Sequence, residues 1–379
     1  MIIGDCFKLP NLLLVAILLI GLGLFDHVNA REHAFLVDLN SKKVTELGTL
    51  TGDSIVAKDI NDAGQVVGWA SKGEDNSRSF ITGRDGIGMR ELGTLGNDNG
   101  HRAAFSINNN GQVAGHAYAS PGGPWHAFIT GPDGTGIKDL GTLGGDGDRV
   151  AYGLNNGGQV VGGASTADES YHAYITGLDG VNMRDLDVGY SWAKNINDAG
   201  QVVGEFYAPG EYFHGFITGP NGMGMRDLGT LGGTESVSED INNVGQVVGQ
   251  VIEHSHTAEK VSHAFITGLD GAGMRDLGTL GGLESFGLGI NEVGQVVGVA
   301  HTAHGVYHAF ITGPNGEGMT DLNLLVDLPK GVILTEADAI NNNGQVIAAG
   351  TVPEPQTYAL MLAGLGLLAL MVRARERGD

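Results

Sequence analysis

The stretch from His263 to Gly298, HAFITGLDGAGMRDLGTLGGLESFGLGINEVGQVVG, returns in close copies along nearly the whole chain and limits what the chain can fold into. Its Asn-x-x-Gly-Gln-Val part recurs with glycines at Gly64, Gly111, Gly158, Gly200, Gly245, Gly294 and Gly344, spaced by 47, 47, 42, 45, 49 and 50 residues. Its second landmark puts an aromatic residue at Phe35, Phe80, Phe128, Tyr174, Phe216, Phe265 and Phe310. A period in the mid-forties marks a repeat architecture in which no copy buries its apolar faces alone.

Each copy divides into four short apolar segments, a to d, separated by turn residues. In one copy segment a is Gly287 to Ile290, b is Gln295 to Ala300, c is His308 to Thr312 and d is Gly318 to Leu322. Asn-x-x-Gly between a and b is a tight hairpin signal, and Gly313-Pro314-Asn315-Gly316 marks a turn between c and d. Gln-Val-Val and Ala-Phe-Ile place apolar groups on both strand faces, so these strands are covered on both sides. The 65 glycines, with no every-third-residue spacing, suit a turn-rich β protein.

The phase of the repeat bears on closure. The repeat region opens with segments c and d (His33 to Leu36, Val44 to Leu47) and ends with a and b (Ala337 to Ile340, Gln345 to Ala348). Six complete copies lie between, from Ser54. The expectation is an all-β fold: a seven-bladed β-propeller of four-stranded blades, its ring closed by N-terminal and C-terminal half-blades, with an apolar helix at each terminus. An open solenoid would need capping repeats, and none is visible.

The two ends differ from the middle. Leu12 to Phe25 is uncharged and apolar, Lys8 precedes it and Val28-Asn29-Ala30 offers small residues for cleavage, which is the layout of a secretory signal over residues 1–30. The single cysteine, Cys6, lies in that leader, so residues 31–351 must be stable without disulfides. After residue 351 come Pro353-Glu354-Pro355, an apolar stretch from Tyr358 to Val372, and Arg373, Arg375 and Arg377. The arginines would remain cytoplasmic, so an apolar helix here would hold an exported domain in the inner membrane.

These C-terminal residues resemble the PEP-CTERM sorting signal of exopolysaccharide-producing Gram-negative bacteria. The resemblance covers 352–377 and implies recognition by an exosortase, cleavage near Pro-Glu-Pro, transient inner-membrane anchoring through the tail (352–379) and delivery to the cell envelope or extracellular matrix. The repeats from His33 to Gly344, with their Asp-Leu-Gly-Thr-Leu-Gly-Gly and Asn-x-x-Gly-Gln-Val-Val-Gly phrases, resemble the extracellular HAF-repeat family, which is defined by its repeat and implies no reaction. Arg78-Ser79-Phe80, His214-Gly215-Phe216 and Asp185-Leu186-Asp187-Val188 depart from the pattern.

Of the net charge of −22, residues 31–351 carry −21. So acidic a surface argues against nucleic acid or anionic lipid as a partner. The repeated histidines His33, His126, His172, His214, His263 and His308 stand too far apart in a propeller to share a metal, and a hydrogen bond between blades is the expected role. Ca²⁺ would suit repeated Asp and Asn such as Asp133 or the Gly145-Asp146-Gly147-Asp148 cluster, but turn chemistry accounts for the same residues, and no cofactor is expected. His254, His256, His301 and His304 are a weak candidate metal set.

The b–c connections vary between copies and carry aromatic and acidic residues, so Trp125, Tyr171, Tyr207, Glu211, Tyr212 and Tyr307 are the candidate ligand-binding residues, with sugar faces as the ligand they suit. No nucleophile elbow, metalloprotease motif, P-loop or dinucleotide fingerprint is present. The expected function is non-enzymatic binding or structural work on exopolysaccharide or envelope glycans. The alternative is an extracellular polysaccharide hydrolase or lyase whose carboxylates come from different blades.

Overall fold

The computed structural model describes residues 32–50, 54–71, 77–96, 100–120, 122–210, 212–253 and 261–352. The leader, the Pro-Glu-Pro tail with Pro353, Glu354, Pro355, Arg373, Arg375 and Arg377, and the apolar helices expected at the termini lie outside the described residues, as do Glu211, His254 and His256. Glu32–Val352 forms one compact body. Its regular structure is strands and single-turn 3-10 helices, and among the described residues no helix is long and apolar enough to cross a membrane.

Consecutive segments pair antiparallel in the order a-b-c-d. Arg102–Ile107, Val113–Tyr118, Trp125–Thr130 and Ile137–Asp139 make one such unit, and Ser54–Ile60, Val66–Ser71, Ser77–Ile81 and Arg90–Glu91 another. Two junctions differ, and at one of them Val261–Ile266 pairs parallel with Gly281–Ile290 through Ser262 and Glu284. At the other, the strand Arg184–Ile196 serves as d of one unit through Arg184 and Asp185 and as a of the next from Ser191 onward. The chain ends share a sheet in which Ile333–Ile340 and Gln345–Thr351 supply a and b, and Glu32–Asp38 and Lys43–Glu46 supply c and d. There His33 pairs with Gly350 and Val37 with Val346.

The repeat phrases acquire physical meaning in this arrangement. Both valines of Gln-Val-Val are buried, as Val66 with Val67 and Val202 with Val203, because each sheet packs against a neighbour on either face. One such layer joins Val67, Ile81 and Leu92 of one unit to Ala104, Val113 and Phe128 of the next. The aromatic landmark is the centre of each unit: Phe80, Phe128, Phe216, Phe265, Phe310 and Tyr174 are fully buried.

The Met-Arg-Asp-Leu phrase ties unit to unit. Arg90, Arg184 and Arg226 donate to the carbonyls of Asp133, Asn221 and Asp270 in the following unit, and Arg275 does so to Asn315 at 2.5 Å. Those acceptors occupy tight c–d turns with two consecutive positive φ values, as at Asp133 (53°) and Gly134 (64°), which Asp or Asn followed by Gly accommodates. Glycine is needed there for a second reason: a Cβ on Gly134 would come 2.7 Å from the Leu92 side chain of the preceding unit.

Candidate functional site

At the a–b turn end of the axis, the Asn-x-x-Gly phrase does more than turn the chain. Asn108 accepts from the backbone of Asn110 and Gln112 through Oδ1, and its Nδ2 donates to Gln112 Oε1 and to the carbonyl of Asn155 in the next unit. The same cross-unit bond runs from Asn61 to Asn108, Asn155 to Asn197, Asn197 to Asn242, Asn242 to Asn291 and Asn341 to Asn61.

The following residue completes a circuit. The backbone N–H groups of Asp62, Asn109, Asn156, Asp198, Asn243, Glu292 and Asn342 each donate to the side chain of the next, Asn342 closing on Asp62 at 3.0 Å. These residues rim a polar cavity of about 160 Å³. Burial, with Asp198 and Asp62 nearby, raises the Glu292 carboxyl above the usual range.

One step deeper, Asp59 and Asp240 bridge neighbouring a strands. Asp59 accepts from Ile60 N (2.7 Å), Ser106 Oγ (3.0 Å) and Ile107 N (2.8 Å), and Asp240 from Ile241 N (2.7 Å), Asn195 Nδ2 (2.5 Å) and Ile290 N (2.8 Å). Burial pushes these carboxyls up to about 6 and about 7 despite the donated hydrogen bonds.

Every a strand carries a register shift at one position, as between Ala57 and Asp59 or Ala104 and Ser106. The extra residue of such a bulge is left unpaired and re-aimed. It is Lys58, Phe105, Tyr152, Lys194, Glu239, Leu288 or Asp338, each part-exposed beside a buried small neighbour. Lys58 Nζ is 2.6 Å from Asp338 Oδ1 and Lys194 Nζ is 3.3 Å from Glu205 Oε1. Burial works against both ammonium charges, but the surrounding carboxylates outweigh it and leave both lysines above their ordinary range. Glu239 is raised by burial, against the pull of Lys194 and Lys58.

Above this charged layer, towards the b–c connections, lie two aromatic groups. In one, Trp125 stacks on His116 with centroids 3.7 Å apart, and Phe105 is 5.2 Å from His116. His116 is 3% exposed, neither ring nitrogen has a hydrogen-bond partner among the described residues, and burial brings it down to about 3. In the other, Trp192 lies 5.6 Å from Tyr171, 4.9 Å from Tyr190 and 5.5 Å from Phe213, which in turn meets Tyr207 at 5.3 Å.

Solved structures and the family comparison now place the chain. The β-propeller domain of the Trilobed protease from Pyrococcus furiosus is similar with a TM-score of 0.51 at 10% identity, over 74% of this chain and 82% of that one. Puromycin hydrolase, as its S511A mutant complexed with PGG, gives 0.51 at 13% identity, over 77% of this chain and 52% of that one. The fold is a β-propeller. At these identities the likeness concerns fold and not activity. Residues 351–376 match the PEP-CTERM protein-sorting motif, which marks an exported, exosortase-sorted protein of the Gram-negative cell envelope. No curated protein matches the sequence.

Within the propeller the sequence candidates fall into different settings. Trp125 and Tyr171 are half-buried, Trp125 N donating to Asp148 Oδ1 at 2.8 Å and Tyr171 Oη to the Gly163 carbonyl at 3.0 Å. Asp148, from the cluster weighed for Ca²⁺, is thus engaged with backbone. Tyr207, Tyr212 and Tyr307 are 47%, 41% and 40% exposed. Tyr307 donates to Glu284 and stacks on His301 at 3.8 Å, and His301 lies 3.5 Å from the same carboxylate. His304 is exposed in the adjoining turn, and among the described residues no group of three or more His, Cys, Asp or Glu could hold a metal.

The repeated histidines need a correction. Their Nδ1 atoms bond within a blade, from strand c to the acid thirteen residues on in strand d: His33 to Glu46, His126 to Asp139, His172 to Asp185, His214 to Asp227, His263 to Asp276 and His308 to Asp321, at 2.5–2.9 Å. Arg78 and Glu91 substitute an ion pair at 3.1 Å. The reason is strand register: the residue before Ala-Phe projects on the same face as the acid of Arg-Asp-Leu. His126 also reaches a neighbouring blade, through Nε2 to Arg149 at 2.6 Å.

The bulge residues were missed in the sequence, yet a signal was there. Just after the small residue of segment a, one position varies widely between copies and reads Lys, Phe, Tyr, Lys, Glu, Leu and Asp.

Proposed function

We propose that this chain is a seven-bladed propeller of the HAF-repeat kind, released or transferred by an exosortase to the envelope or exopolysaccharide matrix, where it binds or organises glycans without catalysing a reaction. The observation that carries the reading is the junction at residue 351, where the last strand, Gln345–Thr351, ends and the sorting motif begins. Cleavage near Pro353 to Pro355 would therefore leave every paired strand of the propeller intact. Before cleavage, the apolar tail would anchor the protein transiently in the inner membrane. The circuit from Asp62 round to Asn342 and the sheet shared by both chain ends support seven blades.

The binding surface of this reading is the face bearing the variable b–c connections, since variable loops on a rigid frame are where recognition resides. The test is co-sedimentation of the full chain with purified exopolysaccharide from a producing bacterium, with polymer size measured in the same tube. Co-sedimentation without shortening is the expected result. Shortened polymer would overturn it and put a hydrolase or lyase first.

A further inference from the structure

The propeller departs from its own pattern at two junctions. Most d and a strands are joined through a Leu-Gly-Thr-Leu phrase, as at Leu92 to Leu95 or Leu277 to Leu280; the last junction, Leu322-Asn323-Leu324-Leu325, is lengthened, and the other reads Leu186-Asp187-Val188-Gly189. This lies in the shortest interval of the repeat, 42 residues, and the strand Arg184–Ile196 passes through it unbroken. Tyr190 and Trp192 alternate along that strand ahead of its bulge and share one side of it, a consequence of its two-residue side-chain period.

The shortened connection coincides with a concentration of aromatic rings in a chain that is only 6% aromatic. Trp192 is flanked by Tyr171 from one blade and Phe213 from its own, with Tyr190 edge-on at 74° and Tyr207 beyond Phe213. Space for this is made by Gly163, where a Cβ would come 2.2 Å from the Tyr171 ring and 3.0 Å from Trp192. Tyr190 and Tyr207 remain 46% and 47% exposed, so the cluster is not a closed core. Flat rings with hydroxyl edges, standing in water, match the C–H faces and hydroxyl rims of pyranose sugars.

Two observations choose the occupant. The repeat region carries −21, so an acidic polymer is repelled. The nearby cation, Lys194, is already paired with Glu205 at 3.3 Å and feels the charge of Glu239, so it is not free to meet an anionic sugar. We propose that Tyr190, Trp192 and Phe213, with Tyr171 and Tyr207, form a stacking subsite for an uncharged pyranose polymer at the shortened blade junction. This rests on the glycan-binding role proposed above and gives it a place and a ligand class.

The experiment is isothermal titration of the full-length protein with three neutral hexasaccharides (cellohexaose, laminarihexaose and maltohexaose) and with hexagalacturonic acid. At least one neutral sugar should bind. Tyr190→Ala should weaken it tenfold or more, Trp192→Phe should weaken it less, and Ile87→Ala, exposed in a c–d turn on the opposite face, should leave it unchanged. Thermal unfolding of each variant separates loss of binding from loss of fold, and Trp192→Phe keeps the test open if Tyr190→Ala is unstable. Neutral-sugar binding that neither variant alters would overturn the subsite and leave the broader role standing. Binding of hexagalacturonic acid alone would overturn the ligand class. Binding of none would overturn the subsite and count equally against the broader role.

Discussion

At the scale of single residues, the chain's polar repeats are structural parts with different tasks. Asn108 makes four hydrogen bonds in a buried place, and two of the groups it satisfies are backbone N–H donors that would otherwise cost free energy unpaired. His116 is the opposite case, an imidazole in an aromatic stack with no hydrogen-bond partner for either nitrogen among the described residues. Burial lowers its proton affinity from near 6.5 to about 3, so the unfolded chain takes up a proton that the folded chain refuses. The stability it contributes is therefore present above about pH 6.5 and is lost as pH falls towards 3. Asp59 and Asp240 act with the other sign: raised to about 6 and about 7, they favour the fold below the ordinary carboxyl range, and that contribution is lost as pH rises through those values. In His116→Phe, which keeps the stack and removes the titrating group, stability at pH 5 should rise by about 2 kcal/mol more than it does at pH 7.5. Urea unfolding at the two pH values measures this; an equal change at both would show that His116 is charged or solvated in the fold.

At the scale of the element, the strand pattern was legible because its causes are local. Paired valines, Asn-x-x-Gly and Pro-Asn-Gly each dictate a backbone state within a few residues, and segments such as Val296–Thr302 lie where those phrases put them. The bulge in segment a was not legible, because a bulge is a relation between two strands and leaves no residue of its own in either. The sequence does show where it matters, in a position that varies widely between copies, but that becomes a channel-facing layer only once the a strands surround an axis. Gly163 illustrates the same point. The sequence shows only that a glycine stands where other copies carry Trp69, His116, Glu205 or Gln250; the structure shows that its missing Cβ is the space that Tyr171 and Trp192 share. Gly163→Ala should cost about 1–3 kcal/mol by overpacking and shift the emission of Trp192, whereas Gly48→Ala, with open space but positive φ, should leave the emission unchanged. Equal spectra in both variants would mean that the two rings do not meet over Gly163.

At the scale of the whole molecule, stability depends on joining the two ends of the chain. Phe35 and Val37, from the first described strand, sit in one buried cluster with Leu334, Ala337 and Val346 from the last two. Lys58 from the next blade pairs with Asp338, 280 residues away. Because the last blade is assembled from both ends, deleting residues 32–50 should remove half of it, expose that cluster and break the asparagine link from Asn341 to Asn61. The expected result is loss of cooperative thermal unfolding and rapid proteolysis from both ends, followed by circular dichroism and mass spectrometry. Retention of a single sharp transition would show that neighbouring blades hold the fold without closure.

The repeat by itself determined the strands, their turns, the apolar faces and the phase that leaves half a unit at each end, since each of these follows from side-chain chemistry over a few residues. The sorting tail was legible for the same reason: a receptor reads it as a short linear pattern. Only the tertiary structure decided which repeated residues meet. It turned the histidines towards acids in their own blades, linked asparagines from unit to unit and gathered Tyr171, Tyr190, Trp192, Tyr207 and Phe213 at a single junction. Those encounters depend on strand register and on the curvature that brings blade beside blade, and neither is written in any one copy of the repeat.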